Sequence, residues 1–406
     1  MTEITEEPTT AASAYEQLAM GAMVDLAAPQ ERYLQLIASG GFVEPMPGMA
    51  LSFARVNTEY LLRHHEQFSS AMDMNIGNVR PMIPLNVDPP MHSKYRKLLD
   101  PLFAPRRMDE QEEDITRRVN GFIDTFIDRG ECNFTEEFAE LFPSSVFLGL
   151  MGLPEDEMRM FLRMRDGILH PEKWDENALL DADVRTKVMA AAGQEIYEYF
   201  GNLIDERREN PTGDIITRFV QTEIDGEKLT RNDILDICFL FLIAGLDTVS
   251  DTLTCSYAFL ATHPEHRQMI VDDPSIIPAA VEELLRWESP VPMGVPRLAK
   301  CPVDLPTGAH VDEGTAVMPN YGAANMDPSA YDDPMDVRFD RTNNPHIAFG
   351  GGVHRCLGSH LARRELRVTL REWHRRIPEY RLKPGHEVLE YPPGLRHVKD
   401  LTLTWK

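Results

Sequence analysis

The sequence predicts a mainly α-helical protein with a minor β part. Three observations carry that reading. Residues 91–220 follow helical apolar spacing, interrupted near Pro105, Gly130, Pro154, Pro171 and Pro211. A second helical run, from Thr230 to His263, holds no proline and a single glycine, Gly245. Strand-like alternation is confined to short pieces at 42–56, at 295–320 and at the C-terminal end.

Taken in order, residues 1–30 read as a loosely ordered acidic lead-in. Pro45, Pro47 and Gly48 then interrupt alternating apolar positions, which suggests a short hairpin or two strands over 42–56, followed by a helix over 57–66. The stretch 68–91 is rich in Met, Asn, Gly and Pro and ends in Val87-Asp88-Pro89-Pro90. Proline has no place inside a helix, so this is a long loop, and long loops in compact proteins tend to be functional or mobile. Thr230 and Asp233 form a variant capping box that starts the central helix. Run to His263, that helix has about 32 residues and a length of roughly 48 Å. It is apolar on most faces over 237–246 and must cross the core. A helix over 276–288 stops at Ser289-Pro290. Short strands follow over 295–320, then an irregular Pro/Asp-rich stretch over 325–346, a helix over 357–376 and a terminal β-like region. With neither linker nor repeat, 1–406 is expected to be a single domain.

The formal charge of -24 argues against nucleic-acid binding and against a polybasic membrane contact. The longest apolar run, 237–246, is far too short to span a bilayer, so no membrane insertion is expected. The five cysteines, Cys132, Cys238, Cys255, Cys301 and Cys356, are odd in number and too widely spaced for a zinc site. The first 20 residues lack the apolar core of a secretion signal. Free thiols in a reducing cytoplasm are the expected state.

The segment with the most chemistry is Phe349-Gly350-Gly351-Gly352-Val353-His354-Arg355-Cys356-Leu357-Gly358. Three glycines permit backbone that other residues cannot adopt and let the chain approach a flat ligand. Cys356 then stands at a helix start, where free amides favour a thiolate. Taken alone, the pattern also suits a buried structural cysteine.

Phe349, Gly352, Cys356 and Gly358 match every fixed position of Phe-x-x-Gly-x-x-x-Cys-x-Gly, and the chain therefore resembles the cytochrome P-450 family. His360, Leu361, Ala362, Arg363, Arg364, Glu365, Leu366 and Arg367 are similar to the soluble bacterial camphor-hydroxylase type. The resemblance implies a triangular prism of helices around a buried haem b, with a small β-rich region. It implies a monooxygenase that inserts one atom of O2 into an unactivated C–H or C=C of a small hydrophobic substrate such as a terpenoid or lipid. Cys356 would be the iron ligand, with Phe349, Gly350 and Gly358 beside the cofactor. His92 and Arg96, four apart on one helical face, with Arg297 and His354, would hold the haem propionates. Ala244 and Gly245 would line the oxygen groove. There Thr248 would hydrogen-bond the dioxygen and Asp247 would relay protons to it. A lone mid-helix Thr has a plainer role, bonding back to the carbonyl of Ala244. The resemblance also makes Glu283 and Arg286 a buried pair with Arg338 as third member, serving the fold.

No flavin or iron–sulfur module is evident, so two electrons would come from a separate acidic ferredoxin and its reductase. Arg363, Arg364, Arg367, Arg371, Arg375 and Arg376 form a basic cluster that is either its docking site or a solvated helix face. The chain is expected to be a monomer. Candidates for an apolar substrate lining are Met72, Met74, Met82, Phe241, Ala244, Met293, Val295 and Leu395, the last beside Gly394. Asn78, Val79 and Arg80 stand where the camphor type carries Tyr, which argues against camphor itself. Arg80 either meets a substrate carboxylate or faces solvent. Two other readings compete: a peroxide-driven peroxygenase, and a non-catalytic haem-thiolate sensor. The intact Asp247-Thr248 pair speaks against both.

Overall fold

The computed structural model describes residues 29–72, 76–224, 226–385 and 395–405. Most of the acidic lead-in, Met74 and Gly394 lie outside the described residues. The chain divides into two compact units, each built from separated segments. The first takes residues up to 69, 282–353 and 390–396; the second takes 70–281, 354–389 and 397–406.

The first unit is organised by a five-stranded sheet. Gly48, at φ +79°, turns Phe42–Met46 back onto Met49–Ser52 as the hairpin that the sequence suggests. Their register slips between Val43 and Met46, where Pro45 offers no amide to the ladder. Met49–Ser52 pairs in parallel with Ala316–Pro319. That strand pairs antiparallel with Arg297–Ala299, which pairs antiparallel with Phe68–Ser69. The last of these strands lies in a stretch expected to be loop. Alternate residues serve opposite faces. Val43 and Leu51 pack with Tyr33, Leu36 and Phe53, whereas Ala50 and Val317 pack with Leu61 and Phe68.

Several residues of the irregular 325–346 stretch converge on the Glu283 carboxylate. Glu283 accepts from Arg286 Nε and Nη2 at 2.8 Å each, from the Arg338 amide at 2.9 Å, from Arg341 Nε at 2.9 Å and from Asn344 at 3.0 Å. Arg286 and Glu283 are fully buried. This corrects the expected third member. Arg338 gives only its backbone; its half-exposed side chain turns outward to Asp340, and Arg341 reaches the carboxylate instead.

The second unit is mostly helical. Met91–Leu99, Glu112–Asp124, Leu141–Met151, Met158–Leu169, Ala182–Glu209, Arg231–Leu246, Thr248–Thr262 and Ser359–Arg376 are its longer helices. Its core is aromatic: Phe126, Phe134, Phe138 and Tyr257 surround Trp373 at ring-centroid distances of 5.0–5.8 Å. The terminal β-like region is real: Thr402–Thr404 joins Arg381–Leu382 to Glu131–Asn133. Thr230 and Asp233 make the reciprocal capping box. The single long central helix is not observed. Asp247, at φ −121° and ψ −46°, separates Arg231–Leu246 from Thr248–Thr262. No helix among the described residues is long and apolar enough to cross a membrane.

Candidate active site

The glycine loop needs its glycines for two reasons. Gly350 and Gly352 have φ of +64° and +62°, which L side chains rarely adopt. A Cβ on Gly352 would also lie 1.8 Å from the Leu62 carbonyl oxygen. Phe349, just before them, is half-buried, its ring 6.0 Å from that of His346. A tight turn over Gly352–His354 leads to Cys356, and the following helix starts at Ser359 with Gly358 as its N-cap.

Cys356 combines two properties that rarely coincide. Its side chain has accessible surface, yet burial is the main influence on its thiol and raises its pKa. The Gly358 amide, then Arg96, Arg355 and Arg363, act in the opposite direction. The Cys356 side chain is therefore not covered by packed neighbours on every side. A Cβ on Gly358 would meet nothing within 4 Å, so packing alone does not demand glycine there. Ala244 is exposed although residues 241–243 and 246–247 are buried. Room beside the thiol, room at Gly358 and a bare position on a core helix fit a flat iron-bearing group held by one thiolate.

At the helix break, the Thr248 hydroxyl donates to the Ala244 carbonyl at 3.1 Å. Gly245 has a different reason to be glycine from the one expected. A Cβ there would lie 2.5 Å from the Phe147 ring, so Gly245 makes space for a core aromatic side chain, not for a ligand. Asp247 is buried and turned away from its own helix. Its Oδ1 lies 3.2 Å from Arg165 Nη1, and its Oδ2 lies 3.0 Å from His170 Nε2. Burial pushes the Asp247 carboxyl upward, but Arg165 first and His170 next outweigh it and hold the group well below the usual carboxylate range.

One turn further on, Asp251 is buried with Oδ2 lacking a hydrogen-bond partner among the described residues. Its Oδ1 lies 3.7 Å from His397 Nδ1. Burial, then the Asp247 charge, pushes the Asp251 carboxyl well above its ordinary value. Burial, then His170, depresses the His397 imidazole to about 4. Sequence reasoning missed Arg165, His170, Asp251 and His397, since no local pattern marks them. Because the folded-state value of Asp251 is raised, its favourable contribution is complete at low pH and fades as pH rises through that value. Asp251→Asn should therefore gain in thermal midpoint relative to wild type as pH rises above the ordinary carboxylate range. Parallel melting curves test this, and a difference independent of pH would contradict it.

The expected propionate residues divide as follows. The structure brings the rings of His92 and His354 to 4.2 Å. Arg96 donates to the Arg355 carbonyl at 2.8 Å and to Asp100 at 2.6 Å. Arg297 is buried and donates to the carbonyl of Val295 at 2.8 Å.

Among the substrate-lining candidates, Phe241 is a core residue, edge-on to Phe103 at 5.6 Å and Phe219 at 6.3 Å. Met293 packs against the Tyr33–Leu36 cluster and accepts from Asn320 at 3.0 Å. Met82 is buried, whereas Met72, Val295 and Leu395 are half-buried and Ala244 is exposed. Arg80 grips Asp236 through Nε, at 3.0 Å from both oxygens, and its guanidinium lies over the Tyr197 ring.

The arginine cluster is not a uniform solvated face. Arg364 pairs with Asp109 and Glu112, Arg371 with Glu112 at 2.7 Å, Arg375 with Glu372 at 2.7 Å and Arg376 with Asp124 at 2.6 Å. Most of these partners lie on Glu112–Asp124 or just before it, so much of the cluster ties two helices together. Arg355, beside Cys356, is exposed.

The family model described as Cytochrome P450 matches residues 58–273 and 275–388. A probable cytochrome P450 127A1 from Sinorhizobium fredii is 34% identical over 350 residues, covering 86% of this chain and 80% of that one. A steroid C26-monooxygenase from Mycolicibacterium smegmatis is 32% identical over 332 residues, covering 79% and 78%. The crystal structure of P450BioI, in complex with an acyl carrier protein ligated to hexadec-9Z-enoic acid, superimposes with a TM-score of 0.84. It is 26% identical and covers 93% of this chain and 98% of that one. The chain belongs to the cytochrome P450 family, whose members use haem b, and is a monooxygenase of the bacterial class.

Proposed function

We propose that this monooxygenase draws its electrons from a separate ferredoxin and oxidises an uncharged hydrophobic molecule of steroid or acyl-chain size. The observation that carries the reading is the helix break, where Asp247, Thr248 and exposed Ala244 come together. When bound, haem supplies dioxygen activation and insertion. Cys356 would serve as its thiolate ligand, the Gly358 amide and the nearby guanidinium groups offsetting part of the burial that raises the thiol. His92, Arg96 and His354, all of the second unit, would hold the propionates. Phe349 and Gly350 belong to the loop that shapes the thiolate side. Thr248 orients a proton at its hydroxyl, and Asp247 supplies the next one. Ala244 would leave room beside the bound group.

The steroid and acyl-chain names of the similar proteins support a long apolar substrate. The engagement of Arg80 by Asp236 supports an uncharged one, since this cation already has a carboxylate partner. Met82 remains a lining candidate in the second unit.

The test is product formation under labelled dioxygen with ferredoxin, reductase and a ligand that shifts the haem absorption. One labelled oxygen atom per product is expected. Turnover supported by peroxide, with none from ferredoxin and dioxygen, would establish the peroxygenase reading instead. Because Arg364 and Arg371 are occupied in helix packing, Arg355 is the better probe of docking. Arg355→Glu is expected to slow reduction by the ferredoxin about tenfold at low salt, with the difference narrowing as salt rises. Equal rates at all salt concentrations would remove Arg355 from the docking surface.

A further inference from the structure

Asp247 is buried and must be reloaded with a proton after each one it gives up. Its two polar neighbours differ in what they can do. Arg165, itself buried and held by Asp166 and the Leu246 carbonyl, keeps Asp247 anionic. A guanidinium does not release its proton in a protein, so Arg165 cannot reload the carboxylate. His170 can both take up and release a proton. Its Nε2 lies 3.0 Å from Asp247 Oδ2, and its Nδ1 lies 3.8 Å from Oε1 of Glu172. Glu172 is partly exposed, whereas His170 and Asp247 are buried.

We infer that His170 is the residue through which Asp247 is reprotonated from solvent. A proton enters at Nδ1 from the side of Glu172, and the ring becomes imidazolium. The Nε2 proton then passes to Asp247 Oδ2, leaving a neutral imidazole protonated at Nδ1. Exchange with water then removes the proton from Nδ1 and places one on Nε2, which restores the starting tautomer. No electrons move, and the proton lost by Asp247 is replaced one for one. The position of the ring is set by its place after Met158–Leu169, where its amide bonds to the Asp166 carbonyl at 2.8 Å and Pro171 follows. His170 touches no reacting atom; it is a positioning residue that acts through Asp247.

The other charged groups around this path are Arg165, Asp251 and His397 beside Asp247, with Glu140, Asp166, Glu172 and Lys173 further out. His397 is edge-on to His170 with ring centroids 5.3 Å apart, but its nearest carboxylate is Asp251. It is therefore a neighbour of the route and not a link in it. Lys173 approaches Asp166 and Glu140, at 3.3 and 3.6 Å, and so serves the outer ion pairs.

The inference rests on Asp247 being the proton donor of the proposed reaction, and the test separates the two. His170→Gln keeps an amide able to donate to Asp247 but cannot carry a proton. In the haem-loaded enzyme, it is expected to lower coupled product formation about tenfold or more and to divert electrons to hydrogen peroxide. The solvent isotope effect should rise and the pH profile of turnover should change shape. Thermal midpoint and the substrate-induced haem shift should stay at wild-type values. Independently of turnover, the His170 ring in ¹⁵N-histidine-labelled ferric protein is identified by its absence from the Gln variant. It is expected to show both the Nε2–H and the Nδ1–H tautomers in exchange, as the proton route requires.

A Gln variant with wild-type coupling and pH profile would overturn the inference, as would a His170 ring locked in a single tautomer. Asp247→Asn is the control. If it loses coupling while His170→Gln does not, only the His170 route fails. If Asp247→Asn itself stays coupled, the reading of Asp247 fails first.

Discussion

Cys356→Ser is expected to eliminate the red-shifted absorption band of the reduced carbon monoxide complex and to reduce product formation to background. Serine nearly preserves the shape of cysteine but replaces a soft thiolate donor with a hydroxyl of far higher pKa. The surroundings of position 356 would be unchanged: the Gly358 amide, the Arg96 contact to the Arg355 carbonyl, and the open space at Gly358. The substitution therefore tests ligation and not folding. Circular dichroism should match wild type, and retained haem should give the unshifted carbon monoxide spectrum. A variant that kept the red-shifted band would show that another residue holds the iron.

Glu283→Ala is expected to be the most destabilising single change in the first unit. The carboxylate receives five hydrogen bonds, from Arg286, the Arg338 amide, Arg341 and Asn344, and Arg286 is 0% exposed. Removing one partner of such a buried network leaves guanidinium groups uncompensated and costs about 3–5 kcal/mol. That is a large part of the roughly 5–15 kcal/mol that separates a folded domain from its unfolded chain. Urea unfolding near neutral pH should show the loss, together with poor haem incorporation; a midpoint within error of wild type would refute it. The same carboxylate carries a pH signature. Burial raises Glu283, but Arg286, the Arg338 amide and Arg341 outweigh it and hold it below its ordinary value. Its contribution is thus complete above the unfolded carboxyl value and is lost as pH falls through the lowered one.

These two sites show what a sequence reveals and what it hides. The glycine loop was legible because its signal is contiguous from Phe349 to Gly358. The hairpin at Gly48, the cap at Thr230 and the Glu283–Arg286 pair were legible because their partners stand within a few residues. Legibility failed where the deciding partner is distant. The central helix breaks at Asp247, whose carboxylate is drawn to His170, 77 positions away. Gly245 looked like room for a ligand until Phe147 filled it. Arg364 looked solvated until Glu112, 252 positions earlier, met it. Arg338 and Arg341 stand three residues apart in an irregular stretch, and no periodicity tells which one turns inward. The catalytic type was therefore clear from one loop, whereas the charged surroundings of Asp247 came only from the fold.

The sheet of the first unit also has a consequence for how the protein is made. The hairpin strand Met49–Ser52 takes its parallel partner from Ala316–Pro319. Some 270 residues must be translated between them, which takes roughly 15–50 s at about 5–20 residues per second. Throughout that interval the emerging hairpin has an unpaired edge, with Ala50 and Leu51 not yet covered. An apolar strand left open for so long is a template for pairing with another nascent chain. Slower translation should therefore lower the yield of folded protein, and chaperones that bind extended apolar segments should restore it.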